Sequence, residues 1–247
     1  MQFVMQPKRP HVLILGSAPS ALSARDWPRG RFSHIIAINN AWRVRPDWDI
    51  LIHPEDFPDA NKPDVIGSHQ CFVTAHEYVP LQNEYGGFVY AGGTMAFTAG
   101  YWALAALKPA VIAYFGCDMV YPRSGKTHFY GTGAADPLRR DVTLRSLEAK
   151  SARLALFGAA QGCGVVRLST GESRLVFPPV SMERLSEASM PCPKSMGPAL
   201  TRESELGYFD PTGRYWDKQH KYDPASIDAL DRLWLDAYRN ARMAQVA

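Results

Sequence analysis

The stretch from Gly92 to Asp118, GGTMAFTAGYWALAALKPAVIAYFGCD, joins a glycine turn, an apolar helix, an apolar strand and an acidic strand end in one continuous unit. Its apolar run is long enough to span a membrane. Lys108-Pro109 interrupts that run, however, at a point where proline breaks a helix and a bare ammonium in lipid is costly. The pattern therefore predicts a helix over 96–107 followed by a strand over 110–115. That strand is apolar throughout rather than alternating, which fits the centre of a parallel sheet covered on both faces. Gly116-Cys117-Asp118 then stands at its carboxyl end, the edge where such sheets bind ligands.

Working outward, further short apolar runs end in small or polar residues: Val12 to Leu15 before Gly16, Ile35 to Ile38 before Asn39, and Ile50 to Ile52 before His53. Cys71 to Thr74, Phe88 to Ala91 and Gly164 to Leu168 follow the same pattern, and all are read as strands. A second helical period runs over 143–160 through Leu144, Leu147, Ser151, Leu154 and Phe157. Alternation of strands and helices predicts an α/β, Rossmann-like fold, a mostly parallel sheet flanked by helices, over residues 1–170. From 171 to 247 the composition shifts, with prolines at 178, 179, 191, 193 and 198. This part reads as a less regular C-terminal extension. It ends in a docking helix that begins at Asp223-Pro224, an N-cap followed by proline in the first turn, with Ile227, Leu230, Trp234, Ala237, Tyr238 and Ala241 on one face.

A chain of 247 residues with 46% apolar residues buries a sizeable core without metal or disulfides. Cys71, Cys117, Cys163 and Cys192 lie far apart and form no C-x-x-C pair, so neither a zinc site nor a secreted disulfide framework is indicated. The N-terminal MQFVMQPKRP lacks the apolar segment of a signal peptide, and the expectation is a soluble, cytoplasmic protein with no transmembrane segment. A net charge of +3 gives no reason to expect nucleic acid as a partner, but it permits an anionic small molecule. A homo-oligomer is compatible with all of this.

The candidate site residues follow from the strand ends. Gly16-Ser17-Ala18-Pro19-Ser20 is a phosphate-loop candidate, with Gly16 leaving room and Ser17 and Ser20 offering hydroxyls, although it is neither G-x-G-x-x-G nor a P-loop. On this basis Gly16→Val should abolish ligand binding and leave the protein folded. Asn39 and Asn40 offer amides to a base or ribose. His53 is a candidate contact, while Glu55 and Asp56 read as caps of a following helix. Asp47-Trp48-Asp49 has the D-x-D form of a metal motif but precedes its strand, the wrong end for a ligand. After Asp118 comes a long basic excursion in which Arg123, Lys126, Arg139 and Arg140 outnumber Asp136 and Asp141, with Tyr121, His128 and Tyr130 alongside. Such a segment is suited to neutralising a phosphate without metal.

Over roughly 12–169 these motifs resemble the bacterial lipooligosaccharide sialyltransferases and the related 6-hydroxymethylpterin diphosphokinase-like family. Gly16 to Ser20 is similar to the sialyltransferase loop G-N-G-P-S, Asn39 or Asn40 to its strand-end asparagine, and His53-Pro54 to its Asn-Pro nucleotide contact. Gly92-Gly93-Thr94, helix, strand and Gly116-Cys117-Asp118 resemble the diphosphokinase pattern G-G-S, helix, strand, G-x-D, which brings Gly93, Thr94 and Asp118 into the nucleotide site. The first resemblance implies a metal-independent glycosyltransferase with a CMP-type sugar donor, no permanently bound cofactor and a hydroxyl acceptor, with Tyr121 and Tyr130 near the leaving phosphate. Thr132 occupies the family's histidine position, so His128 is assigned the role of general base. The second implies ATP and Mg²⁺, with Asp118 helping to hold the metal. A non-catalytic nucleotide-binding or assembly module is the third alternative.

Overall fold

The structure is a computed structural model that describes residues 9–122, 124–133 and 139–244. Arg123 and Asp136 of the basic excursion, and residues 1–8 of the N-terminal segment, lie outside the described residues. Six parallel strands form one sheet: β1 (His11–Leu15), β2 (His34–Ile38), β3 (Ile50–Ile52), β4 (Cys71–Val73), β5 (Val111–Phe115) and β6 (Gly164–Arg167), in the order β4-β3-β2-β1-β5-β6. The α-helices are α1 (Ala75–Asn83), α2 (Phe88–Ala91), α3 (Met95–Leu107), α4 (Leu147–Ala160), α5 (Gly197–Leu206) and α6 (Pro224–Met243). This is the Rossmann-like α/β architecture the sequence predicts, closed by a C-terminal helix. No helix among the described residues is long and apolar enough to cross a membrane.

The strands are apolar on both faces because each face is covered. Val12, Ile14, Ile112 and Tyr114 join one apolar cluster with α3, α4 and α6, while Leu13, Leu15, Val111, Ala113 and Phe115 join a second beneath the 3₁₀ segments Pro19–Asp26 and Asn39–Val44. Alternate side chains of a strand point to opposite faces, so a continuous apolar run is what two covers require. The break at Lys108-Pro109 is a helix end: Lys108 is left-handed at φ 46°. Arg9 donates to the carbonyls of Lys108 (3.0 Å), Pro109 (2.7 Å), Gln161 (2.9 Å) and Gly162 (3.0 Å), setting a cation at the carboxyl ends of α3 and α4.

The structure corrects two local expectations. Phe88–Ala91 is the single helical turn α2, not a strand; it lies between Gly87 at φ 80° and Gly92 at φ 94°. All four of its residues are buried, so the apolar run that looked like a strand reflects burial alone. Glu55 and Asp56 cap no helix, because Pro54–Phe57 forms a turn and both carboxylates are exposed. The cap in this region is Thr74, which forms a reciprocal box with Glu77 at the start of α1. Asp47 and Asp49 are engaged structurally: Asp49 accepts from Arg29 (2.6 Å) and from the Ile35 amide (2.7 Å), and Asp47 from Arg45 (2.6 Å).

The extension packs on the same face as α3. Asp223 caps α6 through the amides of Ala225 and Ser226, and the expected apolar stripe is buried. Lys150 of α4 meets Asp231 of α6 at 2.9 Å, and Arg153 of α4 meets Glu203 of α5 at 2.7 Å, all four side chains being buried. The larger apolar cluster draws residues from both sides of position 170.

Candidate functional site at the carboxyl edge of the sheet

The chain leaves β1 toward β2, β3 and β4 and returns to place β5 on the other side of β1, so the strand order reverses between β1 and β5. The crevice outside the carboxyl ends at such a reversal is where open α/β sheets bind ligands. Here the two strand ends interlock: the Gly16 amide donates to the Phe115 carbonyl (2.8 Å) and the Ala18 amide to the Gly116 carbonyl (2.9 Å). A side chain at Gly16 would run into the Gly116 carbonyl and the Cys117 sulfur. Gly16 is thus needed for packing of β1 on β5, which corrects the expectation that Gly16→Val leaves the protein folded. Gly16→Ala alone is expected to cost about 1–3 kcal/mol, because the obstacle is backbone. Chemical denaturation checks this, and an unchanged midpoint would contradict the interlock. Two amides of the 16–18 turn are engaged by β5, Ser17 is half-buried and Ser20 is exposed.

Two left-handed residues flank the crevice. Asn39 at φ 50° follows β2 and Met119 at φ 57° follows Asp118; asparagine enters this region readily, whereas methionine holds it only where its surroundings impose it. The Oδ1 atoms of Asn39 and of the buried Asn40 have no protein partner. Ile38 pairs in register with Ile52, so Asn39 and His53 follow neighbouring strand ends. His53 is buried, with Nδ1 2.8 Å from the Pro54 carbonyl. A carbonyl only accepts, so Nδ1 donates to it, and in the neutral ring this leaves Nε2 as an acceptor. The ring also packs on Phe57 and Phe72.

On the other side of β1, Asp118 accepts from the Ser169 hydroxyl at 2.5 Å, which ties the end of β5 to the residues after β6. Described residues of the excursion that follows are anchored at the first turn and at the start of α3. The Phe129 amide donates to the Ser17 carbonyl at 3.0 Å, so His128 stands next to the first turn. His128 is 7% exposed, stacked on Tyr130 (centroids 5.0 Å, planes 17° apart) and 6.0 Å from the Tyr121 ring. Its Nδ1 lies 2.8 Å from the Thr127 hydroxyl, which also accepts from the Gly133 amide (2.9 Å) and reaches the Gly133 carbonyl (3.2 Å). All these bonds are satisfied together when Nδ1 donates to Thr127 and Thr127 donates to Gly133, leaving Nε2 as a proton acceptor. Burial holds the imidazole below its ordinary pKa. Thr132 donates to the Gly125 carbonyl at 2.8 Å.

The second anchor is at the start of α3. Arg139 donates to the Gly93 carbonyl (2.7 Å), the Tyr215 hydroxyl (2.9 Å) and Asp141 (2.9 Å). The Gly93 amide donates to Thr143 (2.9 Å), and Thr143 (2.7 Å) and Tyr215 (2.7 Å) donate to Asp141. Thr94 is the buried N-cap of α3 and makes no capping bond with its side chain, while Arg140 is exposed. The edge thus brings together two groups, Gly16, Ser17, Asp118 and His128 with its tyrosines, and Gly93, Thr94 and Arg139. Sequence reading missed Thr127, Asp141, Thr143, Ser169 and Tyr215. Only Asp141 carried a local signal, a D-x-T pattern in which it caps the 3₁₀ turn Val142–Leu144. Among the described residues no group of three or more His, Cys, Asp or Glu is arranged to hold a metal ion. No family model, curated protein or solved structure matches the chain at a significant level.

Proposed function

We propose that the chain is a glycosyltransferase-like enzyme that moves a sugar from a nucleotide donor of CMP type to a hydroxyl acceptor without a metal ion. The observation that carries this reading is His128, buried, beside Ser17 at the strand-order reversal and flanked by two tyrosines. Asn39, Asn40 and His53 supply hydrogen-bond acceptors at the ends of β2 and β3, suited to an amino-bearing base and to ribose hydroxyls. The acceptor oxygen forms the new bond to the anomeric carbon as the bond from that carbon to the donor phosphate breaks. The hydroxyl proton passes to His128 Nε2, and the nucleotide leaves with its phosphate charge met by Arg139 and by the hydroxyls of Tyr121 and Tyr130.

The test is a thermal-shift screen with CMP, UDP, GDP and ATP, each with and without Mg²⁺, since a ligand that binds the native state raises its stability. CMP should raise the midpoint without metal. A shift confined to ATP with Mg²⁺ would favour the diphosphokinase alternative, and no shift at all would overturn the nucleotide reading. Asn40→Ala should weaken CMP binding by on the order of 1–3 kcal/mol without lowering the stability of the free protein, because its buried Oδ1 has no protein partner to lose. Equal loss of stability and binding would remove Asn40 from the site.

A further inference from the structure

The hydrogen bonds around Gly93 reach across the sequence to Tyr215, in the C-terminal extension and 74 positions from Asp141. Tyr215 is 2% exposed, its ring stacks on Phe88 at 6.3 Å, and its hydroxyl occupies the space a side chain at Gly93 would need. That hydroxyl donates to Asp141 and accepts from Arg139, while the same Arg139 nitrogen donates to the Gly93 carbonyl. Asp141 is anchored independently by the Thr143 amide (2.8 Å) and hydroxyl (2.7 Å). Arg139 therefore leans on a rigid frame of three elements: the turn before α3, the 3₁₀ turn before α4, and the extension. The Arg139 side chain is thus held in place while keeping 36% of its surface exposed.

We propose that Tyr215 is a positioning residue that, with Asp141, aims Arg139 at the donor phosphate beside Gly93, making the C-terminal extension a required part of the nucleotide site. The proposal rests on the nucleotide reading given above. An arginine recognises phosphate through a planar fork of donors, and a guanidinium already held in place loses less freedom when the phosphate arrives. Burial pushes the Tyr215 phenol up to about 12, so it remains a proton donor to Asp141 at any working pH. Burial works against the Asp141 charge, but bonds from Thr143 and Tyr215 and the Arg139 charge hold it below the ordinary carboxylate range. Asp141 thus stays an anion able to fix the guanidinium.

The experiment compares the full chain with Tyr215→Phe, Arg139→Ala and the double variant, measuring affinity for CMP and for cytidine, which lacks the phosphate. Tyr215→Phe keeps the ring on Phe88 and removes only the hydroxyl. It should weaken CMP binding about tenfold, the size of one hydrogen bond to a charged group, and leave cytidine binding unchanged. In the Arg139→Ala background the same change should have no further effect on CMP, because Tyr215 acts through Arg139. Equal weakening of CMP and cytidine, independent additive losses, or no loss of CMP affinity would each overturn the positioning role while leaving the nucleotide reading standing. A wild-type chain that binds neither CMP nor cytidine overturns that reading, and this proposal with it.

Discussion

Glu203→Ala is expected to lower the unfolding free energy by about 3–5 kcal/mol, the usual cost of removing one partner from a buried ion pair. Arg153 and Glu203 are both buried, and their bonds are bidentate, Nε to Oε1 at 2.7 Å and Nη2 to Oε2 at 2.8 Å. The guanidinium also donates to the Tyr101 hydroxyl (2.8 Å) and the Tyr85 carbonyl and lies 4.5 Å over the Phe157 ring, while Trp234 donates to Glu203 at 2.8 Å. Burial by itself disfavours the Arg153 charge, but the Glu203 carboxylate more than offsets it and holds the group above its ordinary pKa. Without Glu203 the buried cation loses its carboxylate partner. The double variant Arg153→Met, Glu203→Leu should recover most of the loss, since apolar groups of similar volume often replace a buried pair at little cost. Urea denaturation of the wild type and the two variants decides it. A single variant within 1 kcal/mol of wild type would show that the pair is not the clamp between α3, α4, α5 and α6.

His128→Ala is expected to reduce turnover by roughly 10²- to 10⁴-fold, measured as CMP released from a CMP-sugar in the presence of acceptor, with little change in CMP affinity. The His128 ring lies against Thr127, Tyr121, Tyr130 and Gly133, away from the ends of β2 and β3 that carry the proposed base and ribose contacts. The pH dependence follows from its burial, which lowers its pKa from the ordinary 6.5. In the proposed reaction the neutral imidazole is the base, so kcat/KM should be flat near pH 7 and fall only as pH drops through the lowered value. Stability changes in the same direction: the unfolded chain takes up this proton near pH 6.5 while the folded chain resists it, so stability falls as pH is lowered below that point. An acid limb above pH 7, or a variant that loses affinity and turnover together, would point away from a base at this position.

The sheet was legible because two-sided burial writes itself as short unbroken apolar runs, each stopped at a turn, and the runs ending at Leu15, Ile38, Ile52 and Phe115 are strands. The same signal failed at 88–91, where four buried residues between two positive-φ glycines make a helical turn. Period cannot separate a strand from one turn of helix over so few residues. The 3₁₀ covers on one face left no helical period to read, since Pro19–Asp26 and Asn39–Val44 bury only part of their length. At the site, strand ends marked Gly16, Asn39, His53 and Asp118 because chain order alone brings them to one edge. What sequence could not supply were the long-range partners. Tyr215 against Gly93, Ser169 on Asp118 and Glu203 on Arg153 join segments tens of residues apart, and the first and last of these exist only once the extension has packed on the sheet domain. Gly16 was read as space for a ligand, whereas the Gly116 backbone fills that space.

The most direct test of the central claim, that a nucleotide sits at the strand-order reversal with His128 beside it, is a crystal structure of the chain with CMP. The account predicts the base against Asn39, Asn40 and His53, the phosphate next to Gly93 and Arg139, and His128 facing the position of the transferred sugar. CMP bound away from the carboxyl edge, or a His128 ring turned to solvent and far from the phosphate, would contradict it.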